Sequence, residues 1–155
     1  MIKVEHVHPM LVHFPIVFLL TTAAVDALII FVQDGDLAAR TCLVRVGLAT
    51  LLLGTAFAVV AAVFGDMALD IAVDKGFDKA PLEEHAGLAG LTIAVFGILA
   101  LVQLIATWRG MNLSGKFGKL FLAAILLGCL LLVATAYHGG GLVHDIGVNV
   151  SVVKP

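Results

Sequence analysis

Six histidines are the residues of this 155-residue chain with the clearest potential for chemistry. They are His6, His8, His13, His85, His138 and His144. Imidazole binds haem iron, and helical bundles build cofactor sites from side chains on facing helices. The sequence therefore predicts a cofactor site. Its candidate ligands are His8, His13, His85 and His138, with His144 and Glu84 as weaker candidates.

Four apolar segments must position these histidines. They cover about residues 9–32, 43–64, 86–108 and 120–137. Each is long enough to cross a hydrocarbon core of about 30 Å. The composition agrees, because 61% of the residues are hydrophobic, 13% are charged and the mean hydropathy is +1.13. These values exclude an ordinary soluble protein, and nine Lys/Arg against eleven Asp/Glu exclude a nucleic-acid binder.

The predicted fold class is all-α: an integral membrane four-helix up-and-down bundle. One transmembrane domain covers residues 1–155, with a polar link at 65–85 and a glycine-rich external tail at 138–155. Three glycines, 139–141, are expected to end the fourth helix. The first and third helices both begin with a histidine, which permits a weak internal repeat but does not establish one.

This topology gathers all six histidines at one membrane face. If the first and third helices are diagonal partners, His13 and His85 face each other across the core, and His8 and His138 form a second pair. His8 and His13 differ by five positions, about 140° around an ideal helix, so they do not reach one iron from the same side. Pro15 lacks an N–H and re-aims His13 through a kink or a late helix start.

Charged residues predict the orientation and one ion pair. Arg40, Arg45 and three further Lys/Arg flank the face opposite the histidines, against four on the histidine face. The positive-inside rule then favours a bacterial cytoplasmic (inner) membrane protein with both termini periplasmic. Asp26 lies within the first span, and we expect it to pair with Arg45 because an unpaired charge there is costly. Cys42 and Cys129 are interpreted as small buried apolar residues.

The opening of the first helix, His8-Pro9-x-x-Val12-His13-Phe14-Pro15, resembles that of a bacterial family of small four-helix membrane proteins of unknown function. Further matches cover almost the whole chain. They are Gly65-Asp66, His85, Gly139-Gly140-x-Leu142-Val143 and Gly147-Val148. Members sometimes occur fused to, or beside, c-type cytochrome domains. The resemblance implies a membrane redox role.

These observations favour a membrane-embedded b-type cytochrome-like electron-transfer subunit that binds one or two haem b groups near the external face. Its partners are the lipid bilayer, other membrane redox subunits or a c-type cytochrome, and quinone. Two alternatives stay open. One is a non-haem metal (zinc) site formed by His8, His13, His85 and either Glu84 or Asp66. The other is a cofactor-free structural or assembly subunit. No nucleophile–base pair or nucleotide motif indicates an enzyme by itself.

Overall fold

The computed structural model describes residues 6–150, and the regular elements in this range are all helical. They are α1 (Val7–Leu11), α2 (His13–Phe31), α3 (Cys42–Asp74), α4 (Lys79–Arg109) and α5 (Gly115–His144). A single turn at Val12 separates α1 from α2, so together they form one span. The described chain thus has four segments long and apolar enough to cross a membrane, which confirms the predicted four-helix membrane bundle.

The four long helices pack in a ring. α2 and α4 each contact both α3 and α5, and they lie diagonally without contacting each other. This confirms the expected diagonal placement of the first and third spans. The bundle core is made of large apolar side chains from all four helices. They include Leu19, Leu51, Phe96 and Ile125, all with 0% exposure.

The predicted polar link at 65–85 is wrong. α3 continues to Asp74 and α4 begins at Lys79, so only residues 75–78 connect them. Small buried residues, Ala68 and Ala72, continue the packed stripe of α3 beyond its most apolar part. The Asp78 carboxylate accepts from the Ala80 N–H at 3.1 Å and caps α4.

The predicted glycine stop after the fourth helix is also wrong. α5 runs through residues 139–141 and ends at His144, and the backbone reverses at Gly147, where φ is +76°. The Leu142 carbonyl then accepts from the Val148 N–H at 2.9 Å. Helix packing outweighs the low helix propensity of three consecutive glycines, because tertiary contacts commonly override local preference.

The added helical turns build a small cap above the histidine end of the bundle. We define the cap as residues 66–84 and 138–150. Its buried core comprises Ala72, Leu82 and Val148, with Leu69, Val73, Phe77 and Leu142 packed against it. At about 1.5 Å per residue, the 33 residues of α3 extend about 50 Å, well beyond the hydrocarbon core. The cap therefore projects from the membrane and covers the bundle.

The opposite end of the bundle is closed by two crossing links. Leu37 donates its N–H to the Leu113 carbonyl at 3.1 Å, and Asp36 Oδ1 accepts from the Leu113 N–H at 2.8 Å. Gln103 Nε2 donates to the Leu37 carbonyl at 3.0 Å from inside the bundle. We call this the closed end.

The expected ion pair between Asp26 and Arg45 is wrong. Asp26 is fully buried, and neither carboxylate oxygen has a hydrogen-bond partner among residues 6–150. Arg45 is exposed, because its position on α3 faces away from α2. Of the two free cysteines, Cys129 is buried as expected, whereas Cys42 is exposed at the start of α3.

The two helical hairpins, α2–α3 and α4–α5, form an internal repeat. Leu19 of α2 packs on Gly54 of α3, and Phe96 of α4 packs on Gly128 of α5. The first helices correspond at an offset of 77 residues and the second helices at 74. At the 74-residue offset, α3 and α5 carry identical residues at several positions. These are Leu48/Leu122, Ala49/Ala123, Leu52/Leu126, Leu53/Leu127, Gly54/Gly128, Val59/Val133, Ala62/Ala136 and Gly65/Gly139.

Candidate functional site

Two imidazole rings meet beneath the cap, one from each half of the repeat. His8 of α1 and His85 of α4 have ring centres 6.2 Å apart, with their planes inclined by 79°. They occupy equivalent positions, because 77 residues separate them. The diagonal geometry expected for the first and third spans is thus present, but the structure pairs His8, and not His13, with His85.

A backbone carbonyl orients the His8 ring. Its Nδ1 lies 2.7 Å from the Ala61 carbonyl oxygen on α3. Because a carbonyl only accepts, Nδ1 carries the proton and donates. Neutral imidazole then keeps its lone pair on Nε2, and this is how the second nitrogen of a metal-bound histidine is commonly held.

The His85 ring has a related environment. Thr135 stands at the position equivalent to Ala61, and its backbone approaches the ring without meeting the geometry of a hydrogen bond. His85 Nδ1 is buried and has no hydrogen-bond partner within the described chain. The hydroxyls of Thr92 and Thr135 bond each other at 2.9 Å. An unpartnered buried nitrogen is costly in an apolar bundle, and the Thr135 backbone is the nearest group that could satisfy it.

Each imidazole rests against a glycine of the neighbouring helix. A Cβ added at Gly65 would lie 3.1 Å from His8 ring atoms, and one added at Gly139 would lie 2.8 Å from His85 Cε1. Both distances are shorter than ordinary van der Waals contact. The glycines therefore let the rings lie flush against α3 and α5. This arrangement of histidine, carbonyl and glycine is repeated in the two halves.

The other predicted site histidines lie elsewhere. His13 is exposed, because the turn at Val12 and the five-residue spacing direct it away from His8. His138 is exposed on α5, where Nδ1 lies 3.8 Å from Glu84 Oε1, so the expected second pair with His8 is not formed. His144 is exposed at the last residue of α5.

An open cleft of about 200 Å³ lies between α4 and α5, at the level of His85 along α4. We call it the outer cleft. Its polar lining comes from Glu84, Tyr137, His138 and Asp145, and its apolar lining includes Leu142 and Ile146. The rings of Tyr137 and His138 meet edge to face at 6.1 Å.

The alternative zinc site is not assembled in the described part of the chain. No three His, Cys, Asp or Glu side chains between residues 6 and 150 lie together in a metal-binding arrangement. His13 and His8 face different sides of the bundle, which separates two of the expected zinc ligands. The described residues instead bring together two imidazoles in edge-to-face contact, one from each half of the repeat.

Sequence reasoning missed the residues that support the imidazoles. The Ala61 carbonyl has no sequence signature, because every residue has one. Gly65 and Gly139 do have a sequence signal. Each lies eleven residues after the glycine of a Leu-Leu-Gly sequence, which is the same in both halves. Comparison of the two halves at the 74-residue offset identifies them.

A family model described as a predicted membrane protein, DUF2231, matches residues 5–152. No curated protein and no solved structure matches the chain. The family match covers nearly the whole sequence and agrees with the four apolar spans. The chain therefore belongs to the DUF2231 family of predicted membrane proteins, a family of unknown function.

Proposed function

We propose that this protein is a membrane-embedded, b-type cytochrome-like electron-transfer subunit that binds one haem b between His8 and His85. The separation of the two rings carries the proposal. Metal–imidazole bonds of about 2 Å place the ring centres of two opposed ligands about 6 Å apart. The centres of these two rings are 6.2 Å apart.

The surroundings of both rings support the same proposal. His8 donates through Nδ1 to the Ala61 carbonyl, which leaves Nε2 as the coordinating atom. Gly65 and Gly139 provide the close approach that holds each ring against its neighbouring helix. The second predicted pair, His8 with His138, has no geometric support, and the proposal is therefore one haem rather than two.

Haem bound by two histidines has no open coordination position and supplies one-electron transfer. The protein's own contribution is to hold both imidazoles rigidly and to limit access by water. The cap serves the second purpose, because its apolar core closes over the histidine end of the bundle. Burial and hydrogen bonding around the ligands then tune the reduction potential.

The proposed location is a bacterial inner membrane, with the histidine end and both termini on the periplasmic side. Five basic residues near the closed end support this orientation. They are Arg40, Arg45, Arg109, Lys116 and Lys119. The proposed partners are a c-type cytochrome or another redox subunit docking at the cap, with quinone as a lipid-soluble alternative.

An absorption spectrum of the detergent-purified protein tests the proposal. Protein from haem-replete cells is expected to show a Soret band, sharp α and β bands on dithionite reduction, and one haem per chain in a pyridine haemochrome assay. His8→Ala and His85→Ala are expected to abolish these bands, whereas the matched control His13→Ala retains them.

Two results would overturn the assignment. A folded wild-type protein without haem, made in haem-replete cells, would exclude a cytochrome, and stoichiometric zinc in its place would support the non-haem alternative. Retention of full haem content in both His8→Ala and His85→Ala would show that the ligands lie elsewhere.

A further inference from the structure

The outer cleft is specific to one half of the repeat. Its residues Glu84, Tyr137 and His138 correspond, at the offsets of 77, 74 and 74, to Val7, Val63 and Phe64 of the first half. The fold thus tolerates apolar side chains at these positions, because the first half has them at the same depth. The polar groups of the outer cleft are therefore not required to build the hairpin.

The outer cleft opens where a lipid-facing stripe of α5 ends. Leu126, Leu130 and Val133 are exposed on the membrane surface of α5, and Tyr137 continues that stripe with 81% exposure. Helical spacing places these residues on one face. A molecule whose apolar tail lies along this face can place its head group in the outer cleft, which lies within the cap at the end of the stripe.

The lining selects the chemistry of such a molecule. Glu84 and Asp145 are hydrogen-bond acceptors when ionised and repel an anionic lipid headgroup. The open cleft of about 200 Å³ has room for a substituted six-membered ring that stays partly exposed, since an enclosed cavity of about 150 Å³ holds benzene. The ligand that fits is neutral, lipid-soluble and ring-shaped, and it presents hydroxyl donors.

We propose that the outer cleft binds the ring of a lipid-soluble quinol, which is the electron donor to the histidine-pair site. The claim that quinol donates electrons rests on the proposed haem function, whereas the claim that quinol binds rests on the outer cleft alone. Glu84 is adjacent to His85 in sequence, and Gly139, next to His138, contacts the His85 ring. The outer cleft and the His85 ring therefore lie at the same level of α4 and α5.

One quinol becomes one quinone by losing two electrons and two protons. Haem held by His8 and His85 would accept the two electrons one at a time, and the c-type cytochrome proposed as a partner would be the final oxidant. The protons pass to water at the open side of the outer cleft. Glu84 and His138 hold the hydroxyls by hydrogen bonds.

Stopped-flow reduction of the haem-loaded protein by a short-chain ubiquinol analogue tests the redox part. Glu84→Gln and His138→Asn are expected to slow reduction at least about ten-fold, because Gln lacks the charge that strengthens a carboxylate hydrogen bond and Asn lacks the outer ring nitrogen of His138. Their haem content and dithionite-reduced spectra stay unchanged. The matched control is Glu83→Gln, because Glu83 pairs with Lys79 at 2.8 Å and does not line the cleft.

Photolabelling of the purified protein with an azido-substituted short-chain ubiquinone tests binding independently of haem. Mass spectrometry is expected to find label within residues 81–84 and 137–146, displaced by excess unlabelled quinone but not by phospholipid. Label spread over the lipid-facing helices, or rates in Glu84→Gln and His138→Asn equal to that of Glu83→Gln, would overturn the proposal. A colourless protein with specific label would instead contradict the cytochrome function alone.

Discussion

The His8 ring is joined to the Ala61 backbone by a 2.7 Å hydrogen bond, and the next turn of α3 presents Gly65 to the same ring. A side-chain partner at position 61 would vary with mutation, whereas a backbone carbonyl is available for any residue there. The orientation of His8 therefore depends on how closely α3 approaches, and the glycine controls that approach.

Substitution of the two glycines is expected to disturb haem binding in a defined order. Gly139→Ala places a Cβ 2.8 Å from the His85 ring, and Gly65→Ala places one 3.1 Å from the His8 ring. Each ring must shift, so haem occupancy falls in both variants and falls more in Gly139→Ala. Gly87→Ala is the control, because nothing lies within 4 Å of an added Cβ there. Haem-to-protein ratios at equal expression measure the effect, and equal occupancy in all three variants would contradict it.

Because α5 stays helical through residues 139–141, alanine at one of these positions is expected to stabilise the protein. Gly140 is helical and has open space around an added Cβ. Gly140→Ala is expected to stabilise the protein by about 0.5–1 kcal/mol, since alanine restricts the unfolded chain and favours helix. Unfolding in mixed detergent–SDS micelles gives the free energy. Loss of stability would mean that the glycines end the helix after all.

The sequence alone predicts the four spans well, because long apolar segments have few other stable solutions in a membrane. It predicts the ends poorly. Between 65 and 85 the chain is polar enough to resemble a link, yet Ala72 and Leu82 pack with Val148 to sustain helix on both sides. Such contacts join residues far apart in sequence, and local composition does not contain them.

The candidate site shows the same division. The histidine end and the diagonal relation of the spans follow from topology, and both agree with the structure. Topology does not determine which of His8 and His13 faces His85. That depends on the turn at Val12, which sets the rotation of the five-residue helix α1.

Close packing at the two helix crossings predicts that the bundle loses stability when the glycine at either crossing is replaced by a larger residue. An added Cβ at Gly54 would lie 2.7 Å from Leu19 side-chain atoms, and one at Gly128 would lie 3.0 Å from the Phe96 ring. Gly54→Ala and Gly128→Ala are each expected to destabilise the bundle by about 1–3 kcal/mol, because overpacking forces side chains from their preferred rotamers. The same micelle assay measures both. Gly97→Ala, in open space on α4, is expected to show no such loss.

Asp26 and Gln103 are equivalent in the repeat and fully buried, but substitutions at the two positions are expected to differ in their effect on stability. Gln103 Nε2 bonds the Leu37 carbonyl, so Gln103→Leu leaves that carbonyl unpaired and costs about 1–3 kcal/mol. Both Asp26 oxygens lack a partner in the described bundle, so Asp26→Asn removes only an unsupported acid and keeps its shape. Thermal unfolding in detergent is expected to show a lower midpoint for Gln103→Leu alone. A comparable drop in Asp26→Asn would indicate that the carboxyl of Asp26 has a stabilising partner.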